Sequence, residues 1–376
     1  MLNLSRKTAV ILFNLGGPKN LESVEPFLFN LFNDKAIIGL PQPFRFLLAK
    51  LISSRRAEKS QKIYAQINNK SPLLDITISQ AHSLERELSF LGDFKVFVCM
   101  RYAEPFSDEV VDEVLKYNPT DTILLPLYPQ FSTTTSASSL EDFNKKFIKA
   151  QKKNNLQINS RSICCYPVSA EFIKSHTLLI KQTLLKLYDG DLAKFRFLFS
   201  AHGLPEKVIN AGDPYVFQVE QTTKKVVENL AQILEIDESK IDFRVCYQSK
   251  VGPLKWTGPS LDFEIRKIAL DKKIPVIVPI AFVSDHSETL VELDIDYKNL
   301  AASLGVKDYL RVPALNTEGH FIKALTEICK IAYLDLSNER KSQNNGHSDS
   351  QIINEKPARI CPKKFVKCPN KNFCQS

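Results

Sequence analysis

The sequence predicts an α/β protein made of two similar doubly wound lobes with parallel sheets and an active-site cleft between the lobes. Two observations favour this class. Short apolar runs rich in β-branched residues alternate with helix-like stretches, which is the pattern of βαβ units. The pattern also occurs twice, because three strand candidates of the first half have counterparts in the second. The pairs are residues 10–14 with 195–200, 95–101 with 242–247, and 122–128 with 274–280.

The length and composition are sufficient for this architecture. At 376 residues and 44% hydrophobic composition, the chain can bury a substantial core. The first lobe is expected at residues 1–165, with an apolar lip at residues 36–56, and the second at residues 166–336. Residues 337–376 are expected to form a tether and a cysteine-bearing tail. The tether, residues 339–356, is polar and rich in Asn, Ser and Gln, which is typical of a flexible segment.

The elements of the first lobe follow in the order that βαβ units require. Residues 8–14 predict the first strand, and Gly16-Gly17-Pro18 turns the chain into a helix that includes residues 24–32. This glycine pair lacks the third glycine and the later acidic residue of a dinucleotide-binding fingerprint. Further helices are predicted at residues 56–67, 75–88, 108–115 and 139–150.

The formal charge of +8 does not indicate a nucleic-acid partner. Eight basic and three acidic side chains lie from residue 338 onward, so a charge of only +3 remains for the preceding residues. The expected folded body is therefore nearly balanced and has no basic groove with interleaved aromatic residues. No apolar run approaches the ~18 to 20 residues of a membrane span, and no secretory pattern is present, so a cytoplasmic protein is expected. A monomer and a homodimer both remain open.

A segment that follows one buried strand carries the main chemical signal. Residues 274–280 predict the strand, so His286 and Glu288 lie beyond its carboxyl end, where open α/β sheets place their ligands. Glu288, Glu292 and Asp296 are spaced by four, which puts three carboxylates in one line along a helix. Acids in a first helical turn also suit the helix dipole. Three like charges on one face nevertheless favour cation passage or proton transfer over a solvated surface.

A second histidine follows another predicted strand. Residues 195–200 form a short apolar run, and Gly203 and Pro205 fix a turn directly after His202. A single histidine is more often structural than catalytic. Two histidines at two strand ends, one beside a line of acids, indicate a functional site instead.

These segments resemble those of the ferrochelatases. Residues 200–205, Ser-Ala-His-Gly-Leu-Pro, and residues 282–290, Phe-Val-Ser-Asp-His-Ser-Glu-Thr-Leu, are similar to the signature segments of that family. Its members insert ferrous iron into protoporphyrin IX in the last step of haem synthesis. The resemblance implies a two-lobed chelatase fold, ferrous iron and protoporphyrin IX as substrates, and no cofactor for the chemistry. The other matching segments are residues 14–18, 71–73, 101–102, 128–132 and 248–253.

Metal insertion assigns roles to the residues of both signature segments. A free-base porphyrin must lose two pyrrole protons, so the site needs a base, a polar route for a divalent cation and an apolar slot that bends the macrocycle. His202 is expected to accept a proton as a neutral imidazole, with Glu288 as its partner carboxylate. Glu292 and Asp296 are expected to continue as a relay for the cation or for protons. The side from which iron arrives remains open.

The resemblance also implies contacts to the macrocycle. The expected slot walls are Leu15, Tyr102, Trp256 and Phe282, with His286 beside them. Polar contacts to the macrocycle and its propionates are carried over by position to Arg55 or Arg56, Tyr64, Ser71 and Arg101. Structural roles stay open, because Arg101 could cap a neighbouring helix and Trp256 could pin its own loop.

The apolar lip at residues 36–56 has two interpretations. It is interrupted by two prolines and is too short to span a membrane, so core packing is one of them. The other is a lip that borders a flat hydrophobic ligand and rests on a bilayer surface, as the family resemblance implies. Peripheral association with the inner membrane is then expected.

Five cysteines form two groups, three within the last sixteen residues and one adjacent pair: Cys361, Cys368 and Cys374, and Cys164 and Cys165. In a cytosolic protein such clustering favours a metal over a disulfide. Some ferrochelatases carry a [2Fe–2S] cluster on three C-terminal cysteines and one from the body, and four thiolates are usual. In one branch of the family that fourth cysteine falls where this chain has Thr133, so Cys165 or Cys164 is expected to replace it. A zinc site and an unligated tail are the competing interpretations.

Three alternative functions stay open at this stage. Insertion of iron into coproporphyrin would use the same site. A cobalt chelatase of corrinoid synthesis would need more histidines around the metal and would lack the apolar lip. A non-catalytic carrier of a tetrapyrrole or a metal would share the cleft, but it would gain nothing from a base held against a carboxylate.

Overall fold

Two four-stranded parallel sheets form the centre of the protein. The computed structural model describes residues 6–344 and 360–370, without the side chains of residues 339–344. The strand order is β2-β1-β3-β4 in the first sheet and β6-β5-β7-β8 in the second, and every pairing is parallel. The strands are β1 Lys7–Asn14, β2 Asp93–Met100, β3 Asp121–Pro126, β4 Asn159–Ser162, β5 Phe195–His202, β6 Phe243–Gln248, β7 Ile274–Pro279 and β8 Leu310–Arg311.

The two sheets have the same topology, which confirms the predicted α/β class and its internal repetition. In each sheet the first strand in the chain pairs with both the second and the third, so β1 and β5 occupy equivalent central positions. Both strands are buried almost throughout, as expected where helices cover both faces of a parallel sheet. The carboxyl ends of β5, β6 and β7 therefore meet at one edge.

Helices surround both sheets. None of the helices within the described ranges has the length and apolar character that a membrane span requires. The α-helices are α1 Val24–Phe32, α2 Phe44–Ala65, α3 Leu73–Leu88, α4 Ser107–Tyr117, α5 Ser136–Lys153, α6 Ala170–Leu184, α7 Glu206–Asn210, α8 Tyr215–Leu234, α9 Leu261–Asp271, α10 Lys298–Ser303 and α11 Gly319–Asn344.

The lobes share one continuous apolar core. It contains Val10 and Leu125 of the first sheet together with Phe197 and Val278 of the second. The last helix, α11, contacts α3 and β3 from the first half of the chain as well as α6. The lobe boundary expected between residues 165 and 166 remains a prediction. The two sheets are separate, but side chains from both belong to one apolar core, so the packing does not divide the chain there.

The Gly16-Gly17 turn is required by close packing after β1. Gly16 has φ +84°, and a Cβ atom there would lie 2.9 Å from the Cβ atom of Ala103. A Cβ atom on Gly17 would lie 2.5 Å from the side chain of Ser71. Both positions therefore need glycine, the first for its conformation and the second for space.

Three predicted elements need correction. The helix predicted at residues 56–67 begins earlier and ends earlier, as α2 Phe44–Ala65, so it includes the second half of the lip. The tether was expected from residue 339, but α11 continues to Asn344, because polar residues with good helix propensity can extend a helix that is already anchored. The other tether residues, 345–356, lie outside the described residues.

The third correction concerns the acidic line. Glu288, Glu292 and Asp296 lie on a π-helix, Glu288–Tyr297, and the expected α-helix is absent from that segment. A π-helix has i→i+5 hydrogen bonds. It is rare in proteins, but many of the known instances lie at functional sites. Sequence periodicity cannot distinguish it over ten residues.

Candidate active site

His202, His286 and Glu288 meet at the carboxyl edge of the second sheet. His202 is the last residue of β5, and Glu288 is the first residue of the π-helix that follows β7. The Nε2 atom of His202 lies 3.4 Å from Oε1 of Glu288, and Nε2 of His286 lies 3.4 Å from Oε2 of the same carboxylate. One carboxylate therefore faces two imidazoles, whereas the sequence predicted only its pairing with His202.

Backbone carbonyls set the orientation of both rings. The Nδ1 atom of His202 lies 2.6 Å from the carbonyl oxygen of Gly203, and Nδ1 of His286 lies 3.0 Å from that of Ser284. A carbonyl oxygen can only accept, so each Nδ1 carries its proton. The proton that can exchange is therefore the one on Nε2, on the side of Glu288.

The electrostatics favour an ion pair between these groups. Burial by itself would lower the pKa of His202, but the Glu288 carboxylate outweighs it and raises that pKa to about 9. Burial would raise the pKa of Glu288, but the two imidazoles hold it well below its usual range. This corrects the expectation of a neutral His202: in the substrate-free protein near pH 7 the imidazole is mostly protonated.

Glu292 continues the acidic line one turn further and lies in a polar network. Its carboxylate accepts hydrogen bonds of 3.0 Å from the Gln248 side chain and from the Ser249 backbone N–H. Gln248 also donates to the backbone carbonyl of Glu288 at 3.0 Å. Burial and the charge of Glu288 raise the pKa of Glu292. Because the pKa of Glu288 is lowered and that of Glu292 is raised, Glu292 is the carboxylate of the two that takes up a proton more readily.

Asp296 ends the line at the protein surface. Its side chain is exposed, whereas Glu288 and Glu292 are partly buried. The acidic line therefore leads from the His202 pair to solvent. Asp294, which lies between Glu292 and Asp296 in the sequence, forms an ion pair with Arg311.

Aromatic rings border the histidines on the side of the expected slot. The ring of Trp256 lies 6.2 Å from that of His202, and the ring of Phe282 lies 5.0 Å from that of His286, between centroids. The Nε1 atom of Trp256 is buried without a hydrogen-bond partner among the described residues. The Trp256 backbone also pairs with Pro205, so a wall of the slot and a residue that pins its own loop both stay predictions for Trp256.

Tyr64 comes from the first half of the chain to the same site. Burial raises its pKa to about 12, a hydrogen bond with Ser287 opposes that rise, and the charge of Glu288 adds to it. The Tyr64 hydroxyl therefore lies at the start of the π-helix, as expected of a contact from the opposite lobe.

The remaining residues of the first lobe are held mainly by protein contacts. The guanidinium of Arg101 lies 2.8 Å from Asp34 and donates to Ser138 at 2.8 Å, and the Tyr102 hydroxyl donates to the same Asp34 carboxylate. A propionate on Arg101 would have to share this ion pair. Ser71 is buried against Gly17.

Three further predicted contacts lie around α1 and α2. Leu15 is half-buried and packs against the apolar cluster that contains Tyr64 and Tyr102. Arg56 lies over the Phe32 ring at 5.6 Å, and Arg55 is exposed. Of the two arginines, Arg55 therefore has the more accessible guanidinium.

Sequence reasoning missed the roles of Gln248, Ser249 and Tyr215. The first two lie in the matching segment 248–253, at the end of β6, so their place at the strand edge was the available signal. Tyr215 is buried at the start of α8, and burial together with the charge of Glu288 raises its pKa well above the usual range. No sequence signal indicated this tyrosine, because only the packing of α8 brings it to the site.

The cysteines of the tail lie against those of the body. Cys361 and Cys368 are buried, and the Gln218 side chain donates to the sulfur of Cys361 at 3.1 Å and to that of Cys165 at 3.5 Å. The sulfurs of Cys164 and Cys165 are 3.3 Å apart. Cys374 lies outside the described residues. Among the residues that are described, no three His, Cys, Asp or Glu side chains form a group arranged to hold a metal ion.

The fold and the histidine–carboxylate site together define a two-lobed α/β chelatase. The profile of the family described as "Ferrochelatase" matches residues 7–332. The ferrochelatase of Rickettsia felis is 49% identical over 367 residues, 97% of this chain and 98% of that protein. The ferrochelatase of Pelagibacter ubique is 47% identical over 372 residues, 98% of this chain and 99% of that protein. The chain belongs to the ferrochelatase family.

Proposed function

We propose that this chain inserts ferrous iron into protoporphyrin IX and thereby makes protohaem, the terminal step of haem synthesis. The observation that supports this most directly is the His202–Glu288 pair at the strand ends, bordered by Trp256 and Phe282. It supplies a proton acceptor and a polar cation route next to an apolar wall. Ferrous iron is a substrate here, and the chemistry needs no resident cofactor.

The geometry supports a sequence of proton steps. Ferrous iron replaces two pyrrole protons, so two protons must leave for each metal that enters. His202 can accept a pyrrole proton only when its Nε2 is unprotonated. A divalent cation near Glu288 competes with the imidazolium for the carboxylate and lowers the pKa of His202, so arrival of the metal releases the base. The released protons leave through Glu292 and Asp296 towards solvent.

The direct test is turnover by the purified protein with each candidate substrate. Under anaerobic conditions, kcat/KM for insertion of ferrous iron should be higher with protoporphyrin IX than with coproporphyrin. Loss of porphyrin fluorescence measures the insertion. Faster metallation of coproporphyrin would assign the protein to that substrate instead. Porphyrin binding without turnover would indicate a carrier, and activity with cobalt and a corrinoid precursor alone would indicate the corrinoid pathway.

We further propose that the lip contacts the cytoplasmic face of the inner membrane. In α2, Ala49, Ser53 and Ala57 are buried, whereas Phe44 and Leu47 are 65% and 63% exposed. The helix therefore packs on the protein through small residues and presents large apolar ones outwards. Lys50 and Arg55 are exposed on the same helix and suit anionic headgroups. Such a contact would deliver a poorly soluble porphyrin directly.

A variant with Leu47→Asp and Leu48→Asp should lose most of its binding to anionic vesicles, because two charges replace the apolar face. Co-sedimentation with vesicles of phosphatidylglycerol and phosphatidylcholine measures this. The matched control is Leu185→Asp with Leu187→Asp, two exposed leucines at 67% and 40% that lie away from the lip. Equal binding by the lip variant and the wild-type protein would exclude the lip as the contact.

We also propose a [2Fe–2S] cluster on the tail, with Cys361, Cys368, Cys374 and either Cys165 or Cys164 as ligands. The tail is seated on the body, since the Lys367 N–H donates to the Gly212 carbonyl at 3.1 Å and the Phe365 ring lies 5.2 Å from that of Phe217. This seating brings two tail thiols beside the adjacent pair of the body. Side-chain amides donate to the sulfurs of Cys361 and Cys164, which favours thiolates. The number and kind of donors support a cluster, but the described thiols are not grouped to hold a metal ion in this structure and would have to come closer together to bind one.

Anaerobically purified protein should be brown and contain two iron and two sulfide per chain. Cys368→Ser should lose the visible absorption, because one ligand is removed. Cys99→Ser, which changes a buried cysteine in the first lobe, is the matched control and should keep it. Colourless protein with one zinc per chain would support the zinc site instead, and metal-free protein would support an unligated tail.

A further inference from the structure

Gln80 links the two halves of the protein close to the active site. It lies on α3 and is fully buried. Its Nε2 atom donates to the carbonyl oxygen of Asn316 at 2.8 Å and to the Ser284 hydroxyl at 3.0 Å. It also lies 3.4 Å from the carbonyl oxygen of Val283. One side chain from the first half of the chain therefore fixes the loop that precedes His286 and the segment that packs on it.

Asn316, which accepts from Gln80, is itself hydrogen-bonded to the loop that precedes His286. Its Oδ1 accepts from the Asp285 backbone N–H at 2.9 Å, and its Nδ2 donates to Oδ2 of Asp285 at 2.8 Å. Its own backbone N–H donates to the carbonyl oxygen of Val283 at 2.8 Å. Gln80, Asn316 and the residues around Ser284 thus form one closed hydrogen-bonded unit.

Asp285 in turn holds the start of the π-helix. Its Oδ1 accepts from the Thr289 hydroxyl at 2.8 Å and from Arg311 at 3.0 Å. The Thr289 hydroxyl oxygen accepts from the His286 backbone N–H at 3.0 Å. His286 and Thr289, which precede and follow Glu288, are therefore both hydrogen-bonded to the unit that contains Gln80.

The start of the π-helix Glu288–Tyr297 needs support from other parts of the chain. Its N-cap residue, Ser287, makes no hydrogen bond from its side chain to the helix, and the first turn of the π-helix contains Glu288. A rare helix form with a weak start would not by itself hold Glu288 at 3.4 Å from two imidazoles. The hydrogen bonds through Asp285 and Gln80 supply that constraint.

The same helix also holds the strand end next to the porphyrin slot. One turn before Gln80, the Thr77 hydroxyl accepts from the Asn14 side chain at 3.0 Å. Asn14 accepts from the backbone N–H of Leu15 at 2.8 Å. Helix α3 therefore contacts both the end of β1 beside Leu15 and the segment that precedes His286 and Glu288.

We propose that Gln80 is a positioning residue for metal insertion. It holds the segment 283–289 in register with α3, so that His286 and Glu288 face His202 while the macrocycle rests against Leu15. It touches neither the metal nor the porphyrin. The inference concerns the metal step alone and rests on the chelatase activity described above.

Gln80→Leu keeps the volume of the side chain and removes its donor. We expect a kcat 10- to 100-fold lower and a metal KM severalfold higher, with both ferrous iron and zinc, since a displacement of about 1 Å can cost that much. The dissociation constant for porphyrin, from fluorescence quenching without metal, should stay within twofold. This separation of metal kinetics from porphyrin binding distinguishes positioning from general loss of structure.

Gln151→Leu is the matched control. Gln151 lies on α5 and accepts from the Ile158 backbone N–H at 2.9 Å, so its loss also removes one tie between a helix and a loop. It should leave kcat and the metal KM unchanged. Thermal unfolding of both variants checks that each remains folded.

Ser284→Ala tests the same contact if Gln80→Leu does not fold. It removes one partner of Gln80 and keeps the Ser284 carbonyl that orients His286, so a smaller effect in the same direction is expected. A folded Gln80→Leu or Ser284→Ala protein with unchanged metal kinetics would overturn the proposal. Equal weakening of porphyrin binding and metal kinetics would do so as well. If neither activity nor porphyrin binding is found in the wild-type protein, the proposed function fails instead.

Discussion

Replacement of His202 with Ala should lower the rate of iron insertion by about 10²- to 10⁴-fold, the usual contribution of a general base. Porphyrin affinity should stay within an order of magnitude, because Trp256 and Phe282 remain to form the apolar wall. The physical reason is the position of Nε2, which faces Glu288 and carries the only proton that the ring can exchange there. Single-turnover metallation of bound protoporphyrin with ferrous iron or zinc measures the effect.

His82→Ala is the control for this experiment. His82 is exposed on α3 and should not affect metallation when it is replaced. A His202→Ala protein that metallates protoporphyrin at close to the wild-type rate would show that the base lies elsewhere. Glu292, with its raised pKa, would then be the next candidate.

Glu288→Gln should lower the pKa of His202 from about 9 towards its ordinary value of about 6.5. The carboxylate that stabilises the imidazolium is removed while the size of the side chain is kept. At pH 7.5 the wild-type imidazole is mostly protonated, whereas that of the variant should be mostly neutral. Titration of the His202 ring protons by NMR in the substrate-free protein measures the shift. Metallation should nevertheless fall, because the cation route loses its first carboxylate.

Glu171→Gln removes a comparable histidine partner elsewhere and serves as the control. Glu171 lies 2.7 Å from Nδ1 of His320, far from His202 in the chain, and its loss should leave the His202 titration unchanged. An unaltered His202 midpoint in Glu288→Gln would contradict the ion pair.

The pair also makes stability depend on pH in a defined direction. A raised pKa of His202 contributes stability that is fully present below about pH 6.5 and is lost as the pH rises through about 9. A lowered pKa of Glu288 contributes stability that is present above about pH 4.3 and is lost in stronger acid. The contribution of the pair should therefore be greatest between about pH 4.5 and 6.5.

Much of the fold followed from local pattern alone. The strands β1, β5 and β7 and the helices α1, α3 and α4 were predictable because buried parallel strands are short apolar runs, and helices of ordinary length carry a 3.6-residue periodicity. The parallel sheets then placed His202 and Glu288 at one edge without any knowledge of their contacts. The ferrochelatase resemblance, which depends on ordered motifs, was confirmed by the family match.

Only the tertiary structure decided the charge states and the support of the site. His202 was expected to be neutral, but its pKa depends on a carboxylate 86 positions away in the chain, which no local pattern can measure. The helix of Glu288 is a π-helix whose start is held by Asp285, Thr289 and Arg311, whereas a spacing of four predicts an α-helix. Residues such as Gln248 and Gln80 make contacts between distant segments. A sequence specifies those contacts only through the complete packed fold, because each one depends on the positions of two elements at once.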